Sequence, residues 1–239
     1  MIGTLGWTIV AALAFVGGHL ALSSAVLRPR LIELLGENGF RIVYSAVALV
    51  TLVWLMRAAG AAPVVSLWPE TAWARWVPIL VMPFALVLLV AGVTTPSPTA
   101  MGGAARDDGP TGLTATGLTG ILAVTRHPVM WAVALWALAH IPPNGEAARV
   151  VMFVAFAALA LGGMVHIDHR RAAAMGAAWG PIALTTSALP FAALAAGRAR
   201  FAWRALGAWR VLAGLALYAA LFLGHPWIAG VPVFPALPA

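Results

Sequence analysis

The sequence predicts an all-α fold, a polytopic membrane helical bundle of about six transmembrane helices, and three observations carry that reading. Hydrophobic residues make up 62% of the 239-residue chain and charged residues 9%, with a mean hydropathy of +0.95, which leaves too little polar surface to cover a water-soluble globule. The apolar residues are gathered into runs close to the ~20 residues that cross ~30 Å of hydrocarbon. The arginines are distributed unevenly between the intervening loops.

Apolar runs of spanning length fall at residues 5–26, 40–59, 73–93, 119–141, 148–166 and 207–229. The first is expected to stay as a span, because Met1 to Thr8 lacks the basic region of a cleavable signal peptide. The run 182–196 is short, carries Thr185, Thr186, Ser187 and Pro190, and is flanked by arginines, so an interfacial or re-entrant segment is expected there. With the N-terminus outside, Arg28, Arg30, Arg41, Arg106, Arg126, Arg170, Arg171, Arg198, Arg200 and Arg204 lie at the cytoplasmic side, whereas Arg57, Arg75 and Arg149 lie outside. This predicts a multi-pass protein of a bacterial inner membrane with both termini periplasmic. The long connections, residues 94–118 and 167–205, then face the cytoplasm, where lids and partner surfaces would sit. Residues 1–195 read as the main membrane domain and 196–239 as a basic linker followed by a C-terminal transmembrane helix.

All 14 basic residues are arginine, which reads as coding bias, so the net charge of +7 is weak evidence for a nucleic-acid partner and none is expected. The absence of cysteine removes disulfides and thiolate metal ligands. The expected surroundings are the lipid bilayer, with a hydrophobic small-molecule substrate or a respiratory membrane complex as further partners.

Ionisable groups inside such a chain usually have a function. His19, in GGHLALSS, follows Gly17 and Gly18, which let a neighbouring helix or a flat ligand approach the backbone. It fits a metal or haem ligand, and equally a hydrogen bond across a helix interface. In TRHPVMWAVALWALAHIPPNG, Pro128 suits the first turn of a helix, placing Arg126 and His127 where the helix dipole and free N–H groups favour anionic ligand groups. The plainer alternative is a capping histidine with a snorkelling arginine. Trp131 lies one turn beyond His127 and Trp136 one turn before His140, so aromatic rings on those faces would wall a planar cofactor or simply pack. His140 closes its helix near the outer interface. In HIDHRRAAAMGAAWGP, His166, His169 and Arg170 share one turn with Asp168 on a neighbouring face. A helical hairpin leaving and returning to the cytoplasmic side would bring His127 and Asp168 to one depth, unless the cluster is only a juxtamembrane basic collar.

Together these stretches, with the arginine-rich turn and GFRIVYS between them, resemble the NnrU family of bacterial membrane proteins, which includes the plant 15-cis-zeta-carotene isomerases. The likeness runs over about residues 5–190, and makes residues 1–195 an NnrU-like membrane domain. It implies a link to denitrification through nitrite or nitric oxide, or isomerisation of a cis double bond in a polyene, and a haem b cofactor. By position, the family's histidine ligands fall on His19 and His140, and Ala137 stands where the plant branch has an alternative thiolate. His19 lies about 12 Å from the inner end of its helix at ~1.5 Å per residue, whereas His140 sits at the far end of another, so His127 is expected to be the better partner in depth. His19, His127 and His140 are thus the candidate metal ligands, with Arg126, Trp131, His166 and Asp168 as further cofactor-binding candidates.

The order of RHP, hairpin and carboxylate is also similar, more distantly, to isoprenylcysteine carboxyl methyltransferases. That likeness implies S-adenosylmethionine binding at His127 and Asp168 and methyl transfer to a lipid or prenyl substrate, although Ile167 replaces the first of the usual two carboxylates. A third expectation is a cofactor-free assembly partner of a respiratory reductase.

Overall fold

The computed structural model describes residues 3–99 and 118–234, so the part of the long 94–118 connection that carries Arg106, Asp107 and Asp108 lies outside the described residues. The described chain is all-helical, and its β-structure is one isolated bridge between Ser66 and Glu146. The helices are α1 (Leu5–Leu22), α2 (Leu27–Ala61), α3 (Trp76–Thr94), α4 (Ile121–Val124), α5 (Pro128–His140), α6 (Ala147–Met175), α7 (Trp179–Thr185), α8 (Ala192–Ala195), α9 (Trp203–Leu206) and α10 (Ala208–Ala229). Among the described residues, five helical stretches are long and apolar enough to cross a membrane: α1, α2, Ala72–Thr94, Ala147–Thr185 and α10. That is one fewer than the six runs of the sequence reading.

The missing span is the run 119–141, and its chemistry explains why. Thr125 is extended (φ −155°, ψ 145°), because α4 ends there and the helix restarts only at Pro128. A proline disfavours the helical region for the residue before it, yet its own fixed φ and missing N–H suit the first helical position. The remaining 13-residue helix covers about 20 Å, short of the hydrocarbon thickness. The run 182–196 likewise forms no spanning helix. Its backbone is extended at Thr186 and left-handed at Phe191 (φ 64°), and only a single turn, α8, follows.

The chain packs as two compact units. The first holds Met1–Val77 and Ala137–His166. In it the Thr4 hydroxyl caps α1 by accepting from the Trp7 N–H at 3.3 Å, and α2 begins well before the apolar run at residue 40. Glu37 in this early part pairs with Arg28 at 3.0 Å, and the Arg28 guanidinium also covers the Phe40 ring. A core of Ala11, Ala12, Phe15, Leu55, Ala58 and Ala155 joins α1, α2 and α6. Gly36 interrupts α2 with φ 71° and ψ 166°, a conformation essentially reserved for glycine. A Cβ there would meet nothing within 4 Å, so the cost of adding one is purely conformational. Gly36→Ala is expected to destabilise the protein by about 1–3 kcal/mol, measured as a lowered midpoint of detergent-induced unfolding.

The second unit holds Pro78–Trp136 and Ile167–Ala239. Its core gathers Ala91, Ile121, Leu122, Val124, Ile182 and Leu206, so the single turn α4 is the buried centre around which α3, α7 and α9 close. The irregular backbone at 186–191 is satisfied by protein groups, which is the condition for non-helical chain at membrane depth. The Arg126 N–H donates to Ser187 O at 2.9 Å and the Phe191 N–H to Val124 O at 2.8 Å. The Thr125 hydroxyl and the Trp131 indole N–H both donate to Ala188 O, at 2.8 and 2.7 Å.

Candidate functional site

Two groups of the candidate residues emerge, one in each unit. In the second, Arg126 is the last residue but one before α5 and Asp168 lies on α6. The Arg126 Nε donates to both carboxylate oxygens at 3.0 Å, and its Nη2 donates to Oδ2 at 2.5 Å. The same carboxylate accepts from His127 Nε2 at 2.8 Å. Side-chain exposures of 14%, 1% and 16% for Arg126, His127 and Asp168 place this cluster largely out of solvent. The Arg126 guanidinium also lies 5.8 Å from the Trp179 ring centre.

This arrangement fixes the histidine tautomer. An ionised carboxylate held by a guanidinium can only accept, so the proton between the two groups belongs to His127 Nε2. The other nitrogen, Nδ1, is buried and has no hydrogen-bond partner among the described residues. His127 also lines a small cleft with a cavity volume of about 20 Å³, whose other walls include Gly92, Ser97, Thr99, Val129 and Met130. Gly92 is required for that geometry, since a Cβ on it would lie 2.7 Å from Val129 Cγ2 and 3.0 Å from Val129 N. The Thr99 hydroxyl donates to Arg126 O and exchanges a hydrogen bond with Ser97 Oγ at 3.1 Å. Sequence reasoning missed Gly92, Ser97 and Thr99. They sit far from the histidines in sequence, and a Gly, a Ser and a Thr in an apolar chain give no signal.

Trp131 is not a free aromatic wall, because its indole is committed to the Ala188 carbonyl. Among the described residues, no group of three or more His, Asp or Glu is placed to hold a metal ion.

In the first unit, His19 is partly buried on the last turn of α1. Its Nδ1 lies 2.7 Å from Phe15 O, a carbonyl that can only accept, so Nδ1 carries a proton and in the neutral ring Nε2 keeps the lone pair. The ring stands edge-on to Phe15 (centroids 4.7 Å) and Tyr44 (5.6 Å). Of the two glycines before it, Gly18 faces Val47 of α2 at 3.5 Å, whereas a Cβ at Gly17 would meet open space.

His140 and His166 can be placed on the same ladder. Phe156 of α6 meets Phe15 of α1 (5.2 Å), and His166 Nε2 donates to Ser23 O at 2.7 Å, so α1 and α6 run parallel. His140 packs on Phe153, one turn before Phe156, and His19 lies one turn beyond Phe15. Two turns of helix separate those levels, about 10 Å. His166, bonded one turn beyond His19, is nearer to it in level than His140 is. The turn after His140 is held by Asn144 Nδ2 donating to His140 O at 2.7 Å and by the Trp68 indole donating to Pro142 O at 3.0 Å.

No curated protein and no solved structure matches this chain. The sequence profile described as NnrU protein matches residues 8–233, from the first helix through the closing helix α10 that contributes little to the motifs above. With that match over nearly the whole chain, and with the helices long and apolar enough to cross a membrane that carry it, the protein belongs to the NnrU family.

Proposed function

We propose that this is a haem-b-binding protein of the bacterial inner membrane, linked to nitrite and nitric oxide metabolism or to isomerisation of a polyene, with His19 holding the iron. One observation carries the reading: the Nδ1–H of His19 is given to Phe15 O, which orients the ring and leaves Nε2 as the basic, unprotonated donor that an iron ligand needs. Nε2 makes no hydrogen bond to another described residue. The residues therefore fit the group, with His19 as the one that would hold its iron. His140 does not share its level, so His19 and His140 are a poor pair on the two faces of one group.

When bound, haem b supplies one-electron chemistry and a place for a small ligand. The chain's own part is to set the ligand's basicity through the Phe15 carbonyl and to keep the imidazole in place between the rings of Phe15 and Tyr44. The test is the absorption spectrum of the purified protein, as isolated and after dithionite. A Soret band is expected in the parent and in His140→Ala, and it should be lost or shifted in His19→Ala. A spectrum without a Soret band in the parent, after expression with haem precursors, would remove the proposal.

A second reading, S-adenosylmethionine-dependent methyl transfer, is favoured by the meeting of His127 with Asp168. Two features weigh against it. Both oxygens of Asp168 are occupied by Arg126 and His127, and the adjacent cavity, about 20 Å³, is far below the about 300–1,000 Å³ of pockets for drug-sized ligands. Saturable binding of S-adenosylmethionine, lost in Asp168→Asn, would reverse the order. Co-purification with a respiratory reductase and neither signal would instead favour an assembly role.

A further inference from the structure

We propose that the cleft at the start of α5 binds the hydroxyl head of a long-chain alcohol, which donates to the orphaned Nδ1 of His127 and accepts from the first-turn N–H groups of the helix. The site lies in the second unit and is independent of His19.

The argument starts from an unmet acceptor. His127 is 2% exposed, and its Nδ1 has no partner among the described residues, although a buried polar atom normally has one. Asp168 holds the proton on Nε2, so the neutral ring offers a lone pair at Nδ1 and asks for a donor. Beside it are donors that their own helix leaves without an acceptor. Val129 and Met130 belong to the first turn of a 13-residue helix, where the helix itself supplies no carbonyl for their N–H groups, and both residues line the same cleft. An acceptor and a pair of donors on residues that line one small space match a group that can give and take a hydrogen bond at once.

Three simple head groups could sit beside Nδ1, and the surroundings discriminate among them. An ammonium would sit against the positive end of the α5 dipole and near the Arg126 guanidinium. A carboxylate would suit the dipole but has no proton to give, and its lone pairs would face that of Nδ1. A neutral hydroxyl satisfies both sides. The hydroxyls of Ser97 and Thr99 line the cleft as well, and the side chains of Pro128, Val129 and Met130 provide an apolar wall for an alkyl chain.

The experiment is photolabelling of the full-length protein in phosphatidylcholine vesicles with a diazirine-bearing octanol, mapped by mass spectrometry. Label is expected on the peptide that carries Val129 and Met130. Unlabelled 1-octanol should displace it about tenfold better than octylamine or octanoate, the difference made by one satisfied hydrogen bond. Met130→Trp, which fills the cleft without touching the ionic cluster, should abolish the labelling. His127→Phe should keep the cleft and lose the preference for the alcohol. Label spread unsaturably over the lipid-facing helices would mean that the cleft holds water only, and would overturn the proposal. Octanoate as the best competitor would make it an oxyanion site, with the same result. Unchanged labelling in Met130→Trp would also overturn it.

Discussion

Asp168→Ala is expected to destabilise the protein by about 3–5 kcal/mol, the cost of removing one partner from a buried ion pair and leaving the other uncompensated. Arg126 is 14% exposed and donates to the Asp168 carboxylate through two of its nitrogens, so its charge has no nearby solvent to turn to. His127 would lose its Nε2 partner in the same step. The consequence reaches beyond the pair, because Arg126 also gives its backbone N–H to Ser187 O and takes the Thr99 hydroxyl on its carbonyl. The measurement is the midpoint of SDS-induced unfolding followed by tryptophan fluorescence. A double variant, Arg126→Met with Asp168→Leu, should be less damaged than Asp168→Ala, since it removes both charges together. A loss below about 1 kcal/mol for Asp168→Ala would mean that the cluster behaves as a solvated surface pair.

Gly214→Leu is expected to cost about 3 kcal/mol, the upper end of the range for overpacking. Gly214 is the one residue described as buried along α10, and a Cβ on it would lie 2.7 Å from Val87 Cα and 2.9 Å from Val87 N of α3. Backbone cannot yield as a flexible side chain does, so α10 must move away. Small residues at such crossings let membrane helices pack closely where no hydrophobic force drives them together. The displacement would strain the bond from the Tyr218 hydroxyl to Ile79 O at 3.1 Å and that from Arg210 Nε to Thr94 Oγ1 at 2.8 Å. Gly214→Ala should show a smaller loss of about 1 kcal/mol. An unfolding midpoint unchanged in Gly214→Leu would contradict the close crossing.

Much of the architecture was legible because hydropathy is additive along the chain. The runs at 73–93 and 207–229 match Trp76–Thr94 and Ala208–Ala229 to within a few residues. Where a run contained a residue that acts on the backbone, the sum misled. Residues 119–141 contain an apolar total long enough to span, yet the helix stops at the extended Thr125 and restarts at Pro128, which divides the run into a turn and a 13-residue helix. At the other extreme, α2 begins at Leu27, far ahead of residue 40, because Arg28, Glu37 and Phe40 neutralise and cover one another on its early turns. Hydropathy scores those charges as a loop.

The candidate site divides in the same way. A hairpin argument was enough to bring His127 and Asp168 to one depth. It could not show that Arg126 would take the carboxylate in two places, or that Gly92, Ser97 and Thr99 would face the histidine from another helix and its following loop.

By itself, the amino-acid sequence determined that the chain is a helical membrane protein and roughly where its helices run. These follow from local composition and helical rise. Only the tertiary structure decided which nitrogen of the His19 and His127 rings is left without a partner among the described residues. That depends on whether an acceptor stands opposite the other nitrogen. For His19 it is a carbonyl one turn away on its own helix, and for His127 a carboxylate brought in from a distant one.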